Sequence, residues 1–464
     1  MRNIMTIMLM LISVSTLFAN EIIGDWHGML DLSGMKLRLV FHIEADGDGL
    51  KATFDSPDQG AFGLPVSKVS YEAPWLELET TSPIIKYSGE LKNGVIEGTF
   101  NQAGFEAKLD MKREVMEKPV FVRPQEPQKP YPYKVKDLKF KNKQAGIKLA
   151  GTLTLPKTKG KHPAVILISG SGPQDRNEEL LGHKPFWVIA DYLTRQGIAV
   201  LRFDDRGVGK SQGDFASATT QDFATDVASA VKYLKSRKDI GKIGLVGHSE
   251  GGVIAPMVAT QMPEVNFIVL LAGTGVRGDQ LLLLQQEAIW KAEDTDEEDI
   301  EKSMYVNRNI FAMIMAEQDV TLLQEQIRNF LNKSITDGMI NIPEGYTPED
   351  VVTQAVAETT NPWMLYFIRH DPALVLQKVK IPVLALIGTN DLQVPPKENL
   401  SGIQAALELA GNKDFKLVEL EGLNHLFQTC ETGHPSEYAR IEETFSPQAL
   451  EIMSDWIKQK GAMK

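Results

Sequence analysis

Gly247-His248-Ser249-Glu250-Gly251 spells G-x-S-x-G, and Gly252 follows it. Residues 243–246 before it are apolar and read as a strand, while 253–261 after it read as a helix. A serine on such a strand–turn–helix elbow stands clear of the backbone, and the flanking glycines let helix and strand pack closely. It becomes a nucleophile only beside a base, and the base needs an orienting carboxylate. Chains built on this elbow order the three as serine, acid, histidine. Downstream, Gly388-Thr389-Asn390-Asp391 ends an apolar run at 383–387, and Pro395-Pro396 closes the loop. The next strand candidate, 415–420, leads into Gly422-Leu423-Asn424-His425. Of the 8 histidines, only His425 follows that strand directly; His434 lies in a polar stretch, and His248, the variable residue of the elbow, reads as a packing position. Ser249, Asp391 and His425 are therefore the candidate triad, and its chemistry is acyl transfer.

A tetrahedral oxyanion needs two N–H donors. One falls to the backbone of Glu250, next to the serine. The other falls to the loop after the third strand of the domain, Ser169-Gly170-Ser171-Gly172-Pro173, with Ser171 the choice and Gly172 the fallback. The Glu250 side chain has three readings: a holder for the free amine of a peptide, a helix cap, or a partner for Arg176. Two other motifs fail. Gly273-Thr274-Gly275-Val276-Arg277-Gly278 spells G-x-G-x-x-G, but no second strand follows soon enough for a dinucleotide-binding unit. Gly209-Lys210-Ser211 resembles the end of a phosphate-binding loop, yet the earlier glycine it needs is Asp204. No cofactor and no metal are expected.

The elements that would position these residues start near 134. A hairpin precedes apolar strands at 164–168, 199–203, 243–246, 267–271 and 383–387, alternating with helices such as 220–237. That alternation means a parallel sheet covered on both faces. Residues 279–372 carry no strand pattern and read as a helical cap over the carboxyl ends of the strands, with helices at 280–292 and 320–331. The acidic block 293–301 reads as a solvated helix start. The expected class is α/β: 134–278 and 373–464 form a hydrolase-type core, interrupted by the cap.

Residues 20–116 differ. Alternating runs such as Trp75-Leu76-Glu77-Leu78-Glu79, separated by turns such as Asn93-Gly94, predict about eight short strands in an antiparallel barrel or sandwich. Gly24-Asp25-Trp26 resembles the G-x-W of lipocalin-like barrels, although a tryptophan closing one end of a β core explains it as well. Residues 117–133 are a linker, stiffened by five prolines.

Arg2 and the apolar run after it, ending in Leu17-Phe18-Ala19, make 1–19 a signal peptide. The expected location is secreted or periplasmic, without stable membrane insertion once the signal is removed. With 1 cysteine, Cys430, no internal disulfide or zinc cluster can form. The formal net charge of −12 argues against nucleic acid as a partner.

Together, residues 169–173, Phe203-Asp204-Asp205-Arg206-Gly207-Val208-Gly209-Lys210-Ser211, the elbow, the His425 loop and Ile441-Glu442-Glu443-Thr444-Phe445-Ser446-Pro447 resemble the bacterial α/β-hydrolase esterases near the serine aminopeptidase family. The resemblance covers about 140–464. It implies hydrolysis of small carboxylic esters, mostly with short acyl chains, and no cofactor. It leaves open a serine exopeptidase of the same fold. A reading of another class is a lipid- or glycan-binding protein whose hydrolase domain is inert.

Overall fold

The computed structural model describes residues 21–32, 35–47, 49–59, 61–81, 84–102, 105–117, 122–343 and 346–462. The signal-peptide segment 1–19 lies outside them, as do 118–121 of the proline-rich stretch. The chain divides into two compact units: Met1–Val120 with Ile335–Val356, and Phe121–Ser334 with Ala357–Lys464.

The first unit contains strands β1 (Gly24–Leu32), β2 (Met35–Asp46), β3 (Gly49–Ser56), β4 (Ala61–Val66), β5 (Lys68–Glu72), β6 (Trp75–Thr81), β7 (Ile84–Lys92), β8 (Val95–Gln102), β9 (Phe105–Lys108) and β10 (Met111–Lys112). They form one nearly closed, barrel-like sheet in the order β4-β3-β2-β1-β10-β8-β7-β6-β5, with β9 on β8. Alternation drives it: in β6, Leu76 and Leu78 point into the core while Trp75 and Glu77 face out. The count exceeds the expected eight because β9 and β10 have only 4 and 2 residues, too few to show a period. Asn93 and Gly94 turn between β7 and β8, both at positive φ (51° and 80°), as a two-residue hairpin requires. Trp26 is buried, its indole N–H donates to Ile22 O at 2.7 Å, and the Arg113 guanidinium lies 3.8 Å over its ring. It is a core residue of the barrel. Part of the 279–372 insertion belongs here: the Tyr346 hydroxyl donates to Ile84 O at 3.0 Å.

The second unit is built on β11 (Lys134–Asn142), β12 (Ile147–Leu155), β13 (His162–Ile168), β14 (Ala199–Phe203), β15 (Ile240–His248), β16 (Val265–Leu271), β17 (Val383–Gly388) and β18 (Phe415–Leu420). The order is β11-β12-β14-β13-β15-β16-β17-β18. The hairpin β11–β12 pairs antiparallel with β14, and every pairing from β14 through β18 is parallel. This is the α/β-hydrolase fold. Strands such as β17 are buried at every residue, which is why they read as continuous apolar runs. The chain leaves β13 for β14 on one side and returns to β15 on the other, which opens a crevice at the carboxyl ends of the strands.

Helix Thr220–Lys235 stops two residues short of expectation at its Ser236 cap, and its start is closed by a capping box of Thr219 and Asp222. The elbow helix, Glu250–Ala259, begins three residues early because Ser249 itself is the cap. The insertion is helical as expected, with Gly278–Ala292, Glu297–Ala316, Val320–Thr336, Pro348–Thr360 and Pro362–Arg369. Its acidic block begins the second of these: Asp296 accepts the Glu298 N–H at 2.9 Å, where negative charge suits a helix start. Among the described residues, no helix is long and apolar enough to cross a membrane.

Candidate active site

Ser249 stands between β15 and the helix Glu250–Ala259 at φ 51°, in the left-handed region. A non-glycine residue stays there only when its surroundings hold it. Two backbone bonds do so: its N–H donates to Leu271 O at 2.8 Å, and its carbonyl accepts from Gly252 N at 2.8 Å. Glycine is obligatory on either side because a Cβ at 247 would lie 1.9 Å from Gly251 O, and one at 251 would lie 2.2 Å from Ile168 O.

Asp391 lies in the turn after β17 and His425 in the loop after β18. Both are buried, and the His425 Nδ1 is 3.0 and 2.9 Å from the two Asp391 oxygens. The turn-former reading of Asp391 also holds, since its Oδ1 accepts the N–H groups of Gln393 at 2.9 Å and Val394 at 2.8 Å. His434 lies elsewhere, with Nε2 3.0 Å from Glu293.

The loop after β13 is pinned at three points. Asp205 accepts from Ser169 Oγ at 2.8 Å and from Gln174 N at 3.0 Å, while Glu178 Oε1 accepts the Gly170 N–H at 2.7 Å. The Gly170 amide is thereby occupied. Ser171, beyond it, borders the space around Ser249, and Gly172 turns at φ 89°. Burial of the Asp205 carboxyl raises its pKa well above the ordinary value, against the pull of the Ser169 and Gln174 donors.

Glu250 does not pair with Arg176. The Arg176 guanidinium goes to Asp204, at 2.8 Å from Nε and 2.7 Å from Nη2, because Asp204 ends the neighbouring β14. Glu250 Oε1 instead accepts from Thr220 Oγ1 at 2.7 Å and from Trp363 Nε1 at 2.9 Å. Burial pushes this carboxyl above its ordinary value, against the pull of those two donors.

Ser249, Ser171 and Gln393 border two cavities at once. One, about 100 Å³, holds His425, His183 and Leu426. The other, about 220 Å³, is walled by Leu281, Leu282, Trp363, Phe367 and Val394, with Glu250 and Thr274. Two larger clefts, of about 440 Å³ beside Asn142 and 520 Å³ beside Leu374, contain none of Ser249, Asp391 or His425. Among the described residues, no three His, Cys, Asp or Glu side chains are grouped to hold a metal ion.

The family model described as serine aminopeptidase, S33, matches residues 186–343, about a third of the chain, and includes the elbow. The esterase EstD of Thermotoga maritima is 29% identical over 299 residues, which span 63% of this chain and 61% of that esterase, less than two thirds of its length. The chain has the α/β-hydrolase fold, and its residues 186–343 are similar to the serine aminopeptidase S33 family. The chain is also 32% identical over 130 residues to the human mitochondrial palmitoyl-protein thioesterase ABHD10, covering 28% of this chain and 39% of that one. An esterase of Pyrococcus furiosus aligns with 75% of this chain and 100% of its own chain, at 15% identity and a TM-score of 0.44.

Sequence reasoning missed four neighbours of the site. Asp205 stood inside a quoted motif without a role, and Glu178 and Trp363 carried no signal. His248 read as packing, yet both its ring nitrogens are bonded: Nδ1 to Glu178 Oε1 at 3.0 Å and Nε2 to His425 O at 3.0 Å.

Proposed function

We propose that this enzyme hydrolyses carboxylic esters with short acyl groups through an acyl-enzyme on Ser249. The observation that carries the reading is a strained serine in the wall of two cavities, one of which it shares with a histidine bonded to a buried carboxylate. His425 takes the Ser249 proton as Oγ attacks the ester carbonyl, and Asp391 orients the ring and stabilises its cation. The oxyanion is received by the N–H groups of Glu250 and Ser171. His425 then protonates the leaving alkoxide, and water repeats the sequence on the acyl-enzyme.

The cavity of about 220 Å³ is the acyl chamber. It is smaller than the ~300–1,000 Å³ of ordinary ligand pockets, which favours short chains. Glu250 is a poor anchor for a peptide amine, since burial favours its neutral form and two donors already occupy Oε1. The S33 likeness nevertheless supports an exopeptidase as the second reading. Residues 1–19 support a secreted or periplasmic enzyme. Comparing p-nitrophenyl esters with amino-acid arylamides separates the two activities. Full ester hydrolysis in a folded Ser249→Ala variant, or failure of a fluorophosphonate probe to label Ser249, would overturn the serine mechanism. The second outcome would favour the inert, ligand-binding reading.

A further inference from the structure

The enclosed His248 ring spans two loops. A carbonyl oxygen only accepts, so the Nε2 facing His425 O at 3.0 Å carries a hydrogen. Nδ1 faces the Glu178 carboxylate at 3.0 Å, which also only accepts when ionised. Burial works against charge on this ring, but the charge and hydrogen bond of Glu178, the His425 carbonyl and the Asp391 charge together outweigh it, so His248 titrates above its ordinary value. The same Glu178 Oε1 accepts the Gly170 N–H at 2.7 Å. The His248 and His425 rings lie 4.9 Å apart, and the Phe427 ring lies 6.4 Å from that of His248. Glu178 itself sits at φ 51°, a conformation its surroundings must hold. One continuous path thus runs from the Gly170 amide through Glu178 and His248 to the His425 backbone.

We propose that Glu178 and His248 are positioning residues: their buried bridge holds the 169–174 loop and the His425 loop in a single register. It rests on the reading of Ser249 and His425 as nucleophile and base. The Ser171 amide and the His425 ring must approach one substrate carbonyl from different loops, and small misplacements of reacting groups cost rate steeply. Asp205 holds the ends of the 169–174 loop, and among the described residues Glu178 is the side chain bonded to both that loop and His248. Removing either member leaves the other buried without its opposite charge, held by Gly170 N–H or by His425 O.

The full-length chain is tested as Glu178→Gln, His248→Gln and the double variant, with kcat and KM for p-nitrophenyl butyrate and thermal unfolding of each. Each single change is expected to lower kcat ~10- to 100-fold while KM stays within about threefold. The double variant should lose about as much as one single variant, since the pair acts as a unit. His248→Phe should fall further than His248→Gln, which keeps a donor for His425 O. Folded single variants with kcat within twofold of the parent, or losses that simply multiply in the double variant, overturn the proposal. Should neither single variant fold, ¹⁵N spectra of the parent decide: a neutral His248 ring at pH 7 overturns it, and an imidazolium supports it. Ser249→Ala separates the layers, because its inactivity beside unchanged Glu178→Gln turnover rejects the bridge alone.

Discussion

Asp391 offers both carboxylate oxygens to the His425 Nδ1, at 3.0 and 2.9 Å, and its Oδ1 is also held by the N–H groups of Gln393 and Val394. The carboxylate therefore cannot swing away, and the ring it holds keeps Nδ1–H inward and Nε2 as the free base. Asp391→Asn can retain the two backbone bonds but presents an amide that favours the wrong tautomer. We expect kcat to fall by about 10⁴ with little change in thermal unfolding. A loss under tenfold in steady-state ester hydrolysis would remove Asp391 from the triad.

The chamber beside Ser249 is bounded by Leu282, a half-buried side chain on the first helix of the insertion. Leu282→Ala lengthens the space and Leu282→Trp fills it. Because one methylene in an apolar pocket changes discrimination by roughly 10-fold or more, the hexanoate-to-butyrate ratio of kcat/KM should rise by about that factor in the first variant. It should fall in the second. An unchanged ratio in both would place the acyl group elsewhere.

At Gly251 an added Cβ would meet Ile168 O at 2.2 Å and Ser169 O at 2.8 Å, both backbone atoms that cannot step aside. Gly251→Ala should therefore destabilise the chain by about 2–3 kcal/mol, read from urea unfolding, and displace the end of β13. Parental stability would mean that the elbow is looser than described.

His183 is buried against Tyr438 O at 2.9 Å and Thr444 Oγ1 at 3.0 Å, and burial holds its pKa down to about 4. The unfolded chain protonates this ring near pH 6.5, so below that value it binds a proton the folded chain refuses. Stability due to His183 is present above pH 6.5 and drains away toward pH 4. In urea melts across this window, His183→Gln should lose less stability on acidification than the parent, by up to ~1.4 kcal/mol per pH unit. Parallel pH curves would rule the effect out.

The α/β class and the antiparallel front sheet were legible because long strands repeat, every residue or every second one, over enough length to count. β10, with 2 residues, has no period to read. Ser249, Asp391 and His425 each follow a strand, so one-dimensional order located them. Their supports did not announce themselves, because Glu178 meets His248 across 70 residues and Trp363 meets Glu250 across 113. The readings of Glu250 stayed open for the same reason: two carboxylates compete for Arg176, and the fold shows that Asp204 takes it.

The shared wall at Ser249 has a further consequence. On the proposed mechanism, an acyl group bonded to that oxygen would lie on one side of this wall while the other side stays open to the next reactant. Whatever enters next decides the product: water releases an acid, whereas a second alcohol makes a new ester. The balance between breaking esters and exchanging them would then follow from which acceptor the smaller compartment admits.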